Sequence, residues 1–96
     1  MVTLQLEHGI RSFDMWKAAF DRDPIDRRGL GVRRHRILRP LDDPNYVIVS
    51  LDFDSIAAAE AGGAALRELW GTGTAAPALI GEPTVRIVTV IEDAGY

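Results

Sequence analysis

In this 96-residue chain the side chains able to act as acids, bases or nucleophiles are few, and none falls into a recognised catalytic spacing. There is no cysteine, which removes thiolate chemistry, thiolate metal sites and disulfides together. The histidines His8 and His35 form neither H-x-H nor H-E-x-x-H, so no metal is expected. A serine hydrolase would need G-x-S-x-G, which is absent. Gly29-x-Gly31 and Gly71-x-Gly73 lack the further glycine and the strand-to-helix setting of a nucleotide loop, and read as plain loops. What remains is His35, inside a predicted strand, because an imidazole is the side chain suited to proton transfer near neutrality. Beside it stands Asp52, which ends a central strand and shares a face with Tyr46 and Ser50, while Glu7 ends another. His35 and Asp52 are therefore the candidate catalytic residues. The competing reading makes His35 a surface residue among arginines, and ties Asp52 to water or, across an interface with a second copy, to Arg34 or Arg36. His8, at a strand end next to Gly9, is expected to be exposed and is the weaker candidate.

A second group could hold a ligand rather than transform it. Trp16 and Phe20 recur at helical spacing with Phe13, on one face of a short helix, and Trp70 lies near the end of a later one. With Tyr46 they are the candidate ligand-binding residues, able to wall a pocket for a flat apolar or aromatic molecule. Simple core packing is the alternative for each. Leu79 and Ile80 read as a small apolar piece that could fold over such a pocket.

These residues need elements to carry them. Val2, Leu4 and Leu6 alternate with polar residues as in a half-buried strand, ended by His8-Gly9. Ser12 is placed to cap a helix carrying Phe13, Trp16 and Phe20, which Asp23-Pro24 stops. A polar loop from Pro24 to Gly31 leads to a charged strand from Val32 to about Arg39, read as an edge strand whose buried face is undecided. The turn Pro40 to Asn45 empties into a strand from Tyr46 to Phe53. Asp54 or Ser55 caps a second helix with Ile56, Ala59, Gly63, Leu66 and Trp70 as its apolar stripe. Gly62-Gly63 means either very close packing or a bend there. A connection over Gly71 to Pro77 precedes a last strand from Pro83 to about Ile91, and a loose tail from Glu92 to Tyr96.

Strand, helix, strand, strand, helix, strand is the ferredoxin-like α+β pattern: a four-stranded antiparallel sheet with two helices on one face. The expectation is one domain over residues 1–96. Tyr46, Ile48, Val88 and Val90 then point to the face the helices leave bare, so a second copy is expected to cover it, sheet against sheet.

The chain resembles the dimeric α+β barrel superfamily, which includes the antibiotic-biosynthesis monooxygenases and the heme-degrading monooxygenases. The likeness rests on Trp16-Lys17-Ala18-Ala19-Phe20-Asp21, on Asp42-Asp43-Pro44-Asn45-Tyr46-Val47-Ile48-Val49 and on Val85-Arg86-Ile87-Val88, and spans nearly the whole chain. It implies a homodimer with a small-molecule cavity between sheet and helices. The heme-degrading set of asparagine, tryptophan and histidine is not reproduced: the first strand has no asparagine, and no histidine follows the start of the second helix. Of the residues that surround the cavity in cofactor-independent monooxygenases, only Trp16, Trp70 and Tyr46 have candidates here.

The expected function is accordingly binding of an apolar or aromatic metabolite, without cofactor. The alternatives are a cofactor-independent monooxygenase or cyclase acting on a polycyclic aromatic, and a purely structural dimer module. The net charge of −3 gives no field toward nucleic acid or an anionic membrane, although Arg27, Arg28, Arg33, Arg34, Arg36 and Arg39 crowd one segment. That segment lacks the interleaved aromatics of a nucleic-acid surface, and Asp21, Asp23 and Asp26 precede it, so a salt-bridged edge is expected. With no signal-like start and no run of roughly 20 apolar residues, the chain reads as a cytoplasmic protein with no membrane partner.

Overall fold

The computed structural model describes residues 1–72 and 79–96. Its elements are β1 (Val2–Ile10), α1 (Phe13–Asp21), β2 (Arg34–Leu38), β3 (Tyr46–Phe53), α2 (Ile56–Gly71) and β4 (Leu79–Thr89). The strands make one antiparallel sheet in the order β2-β3-β1-β4, so the first and third are central. Both helices cover one face of it, in the ferredoxin-like βαββαβ arrangement.

The core comes mainly from the central strands, because only they have a neighbour on both edges. Leu4, Leu6 and Ile10 of β1, with Val47, Val49, Leu51 and Phe53 of β3, are buried toward the helices. β1 does not stop at His8-Gly9. It runs on to Ile10, whose N–H donates to the Asn45 carbonyl at 2.8 Å. The two-residue period therefore continues unbroken and carries His8 to the same face as Leu4 and Leu6. His8 is 3% exposed, which overturns the expectation of a solvent-facing residue.

The edge strands depart from their expected bounds. β2 is shorter, and its side chains settle which face is which: His35 lies opposite Leu51 and Ile37 opposite Val49 on the helix side, while Arg34 and Arg36 lie opposite Asp52 and Ser50 on the open side. β4 begins at Leu79, four residues before Pro83. Pairing jumps from Glu7↔Thr84 to Gly9↔Ile80, so the β4 residues between form a bulge. Pro83 sits there because a bulge needs no ladder N–H, and Gly81 supplies a φ of +73°.

α1 is capped by Ser12, whose Oγ accepts from the Met15 N–H at 3.4 Å, and α2 by Ser55, which accepts from the Ala58 N–H at 3.1 Å. In α2 the buried positions are Ala59, Gly62, Gly63 and Leu66, whereas Ile56 is exposed at the helix start. The double glycine marks close packing. A Cβ on Gly62 would stand 2.6 Å from the Cζ of Phe53, which is fully buried. Small residues thus let α2 ride close on the sheet, while the bulky aromatics of α1 hold that helix further off. Of the expected connection, Gly71 and Thr72 end α2 and the remainder lies outside the described residues, as does Ala78.

Candidate functional site

Where the close helix and the distant helix meet, the sheet is incompletely covered. An apolar cavity of ≈ 80 Å³ opens there, walled by Leu6, Val49 and Leu51 from the sheet, Trp16 and Phe20 from α1, and Leu66 and Trp70 from α2. Three of the four expected ligand-binding residues, Trp16, Phe20 and Trp70, are among its walls. Leu79 also contributes, from the start of β4.

The aromatics form a continuous row. Phe13 and Trp16 have ring centres 6.0 Å apart, Trp16 and Phe20 5.1 Å, and the ring of His35 meets Phe20 edge-on at 5.2 Å. His35 therefore buttresses the outer side of Phe20 and is not part of the cavity wall. Arg39 lies over Phe13 at 4.6 Å and Arg27 over Phe20 at 3.9 Å, each cation resting on a ring face.

The remaining candidates lie on the opposite face of the sheet. The Tyr46 hydroxyl donates to Glu7 Oε1 at 2.9 Å, and the Thr3 hydroxyl donates to Asp52 Oδ1 at 2.7 Å. Asp52 Oδ2 is also 3.8 Å from the Arg34 Nε, within the same chain. Acceptance by Glu7 holds the Tyr46 phenol above its ordinary value of 10, with burial and the Glu7 and Asp43 charges acting the same way. So Tyr46 and Asp52 share a polar surface that the cavity does not reach.

Two polar side chains that the sequence pattern does not assign to a pocket, His8 and Arg27, stand in the cavity wall. His8 Nδ1 is 3.0 Å from its neighbour's Gly9 carbonyl, which can only accept, so in the neutral ring the proton sits on Nδ1. Nε2 is left as a bare acceptor. No described side-chain nitrogen or oxygen is sealed from its surroundings without a partner, so Nε2 keeps some accessible surface, on a ring that lines the cavity. The ring is held by Trp16, centres 6.1 Å apart. Burial pushes the imidazole below its ordinary 6.5, against the raising effect of the Gly9 carbonyl. Arg27 is already committed: Nη1 donates to the Phe20 carbonyl at 2.8 Å and lies 3.5 Å from Asp23 Oδ1. The signal for His8 was available in its parity with Leu4 and Leu6. Arg27 had none, since its position depends on the loop.

No family model matches the chain, and no curated protein matches it in sequence. Solved structures do match it in shape. Rv0793 from Mycobacterium tuberculosis aligns with a TM-score of 0.70 at 14% identity, over 98% of each chain. A dimeric ferredoxin-like protein from an uncultured marine organism aligns at 0.64 and 14%, over 97% of each. The chain shares the ferredoxin-like α+β fold of these structures. SnoaB from Streptomyces nogalater, a cofactor-independent oxygenase, aligns with a TM-score of 0.65 at 18% identity, over 96% of this chain and 94% of its own. A putative antibiotic biosynthesis monooxygenase from Nitrosomonas europaea does so at 0.63 and 17%, over 96% and 100%. At these identities the shared property is the fold. Among the described residues no helix is long and apolar enough to cross a membrane, and no three His, Asp or Glu side chains gather as metal ligands would.

Proposed function

We propose that this chain is a homodimeric α+β barrel protein that binds a compact apolar or aromatic metabolite between its sheet and helices. The observation that carries this reading is the apolar cavity walled by Trp16, Phe20 and Trp70, with the His8 imidazole in its wall. The pairing of two copies is supported by the open sheet face, which neither α1 nor α2 covers. On it Leu38, Ile48 and Val88 lie among Glu7, Asp52, Arg34, Arg36 and Arg86, so aliphatic contact and charges of both signs are available to a two-fold partner. This face is more mixed than an aliphatic patch.

A second reading, a cofactor-independent monooxygenase or cyclase, draws support from SnoaB and the other oxygenase-like neighbours. Against a polycyclic substrate stands the volume: ≈ 80 Å³ is well below the roughly 300 Å³ at which pockets for drug-sized molecules begin. His35 and Asp52 also stand clear of the cavity, so any proton transfer inside it would fall to His8.

Native mass spectrometry of the protein as purified tests the main reading. The expected species is two chains with a small-molecule adduct that disappears in Ala19→Trp, which fills the cavity. A single chain at micromolar protein would refute the dimer, and an adduct unaffected by Ala19→Trp would refute the site.

A further inference from the structure

A hydrocarbon guest would need none of the polarity the cavity contains. Leu6, Val49, Leu51 and Leu66 could line a purely greasy hole, yet the β1 position between Leu6 and Ile10 that faces it is a histidine. No described side-chain nitrogen or oxygen is sealed without a partner, so Nε2 keeps access to the hollow that its ring lines and offers a guest a hydrogen-bonding atom in an otherwise apolar wall.

We infer that His8 is the recognition group of this cavity, its Nε2 accepting a hydrogen bond from the one N–H or O–H of a small, neutral, otherwise apolar ring. This rests on the ligand-binding reading above and deepens it. Three features of the site narrow the ligand to that class. The Gly9 carbonyl fixes the tautomer and Trp16 fixes the ring, so the lone pair has one direction and only a donor can satisfy it. The volume of ≈ 80 Å³ is about half of the roughly 150 Å³ that accepts benzene in an engineered apolar cavity, so one ring is the upper limit, reached as the half-buried Phe20, Trp70 and Leu79 give way. The guest is neutral because, among the described residues, the one cation on the wall is Arg27, whose charge is already met by Asp23 while its Nη1 donates to the Phe20 carbonyl.

Pyrrole and furan, rings of nearly equal size that differ in the N–H, provide the test. Both are titrated into protein labelled with nitrogen-15 at histidine, following the His8 ring nitrogens by NMR at pH 7.5. Pyrrole is expected to move the Nε2 resonance and to bind about tenfold more tightly than furan, the ratio a single net hydrogen bond can supply. His8→Leu is expected to abolish the preference while furan still binds. Because the wild-type Nε2 signal carries the result, the test stands even if that variant folds poorly. Equal binding of the two rings with Nε2 unmoved would overturn the role of His8 and leave the cavity intact. Binding of neither would overturn the cavity reading and the role of His8 with it.

Discussion

His8 shows how one residue can be polar by type and core by position. Its folded-state pKa lies below 6.5, so the unfolded chain binds the extra proton first as pH falls. Stability tied to the neutral ring is therefore complete above about 6.5 and is lost progressively down to the lowered native value, below which it is flat. Urea midpoints of the wild type are expected to fall between pH 7.5 and 5 by more than those of His8→Leu. Equal falls would show that the imidazole titrates alike in both states. Tyr46 runs the other way: its raised pKa means that the Glu7 bond stabilises below pH 10 and is lost as pH rises through the native value. Titration of the Tyr46 phenol, read as the absorbance difference from Tyr46→Phe, is expected above 10 in wild type and closer to 10 in Glu7→Ala.

At the scale of elements, the adjacent glycines of α2 have opposite meanings. A methyl group on Gly62 meets the ring of Phe53, which has nowhere to go, while one on Gly63 meets only Arg67 Nη1 at 3.5 Å and Leu4 Cδ1 at 3.8 Å. Gly62→Ala should therefore lose about 1 kcal/mol or more net, since overpacking of roughly 1–3 kcal/mol outweighs the gain in helix propensity. Gly63→Ala should gain about 0.5–1 kcal/mol. Denaturant unfolding of the two variants checks both signs. The pattern of elements was legible because each has a local cause: alternation in β1 and β3, serine caps on both helices, and an Asp-Pro-Asn turn before Tyr46. The bounds of β4 were not, because a bulge is a property of a strand pair, and Pro83 alone reads as a beginning.

At the scale of the molecule, the open face is the surface on which the proposed dimer depends. Glu7 and Asp52 share it with Arg34, Arg36 and Arg86, so the proposed dimer should depend on charge as well as on apolar area. Sedimentation equilibrium is expected to show Arg86→Glu dissociating at a concentration at least about tenfold higher than wild type, and Ile48→Asp more so, since it buries an unpaired carboxylate. A wild-type monomer would remove the proposal altogether.

Strand alternation, helix spacing, capping serines and turn residues act within a few positions of themselves, and from them alone the βαββαβ order and the two-sided central strands follow. The placing of His8, Arg27, His35 and Asp52 relative to a cavity does not. A cavity exists because α2 packs close through Gly62 while Trp16 props α1 away from the same sheet, and that difference in height is a relation between elements remote in the chain. Only the folded chain brings the buried imidazole of β1 to the hollow between them.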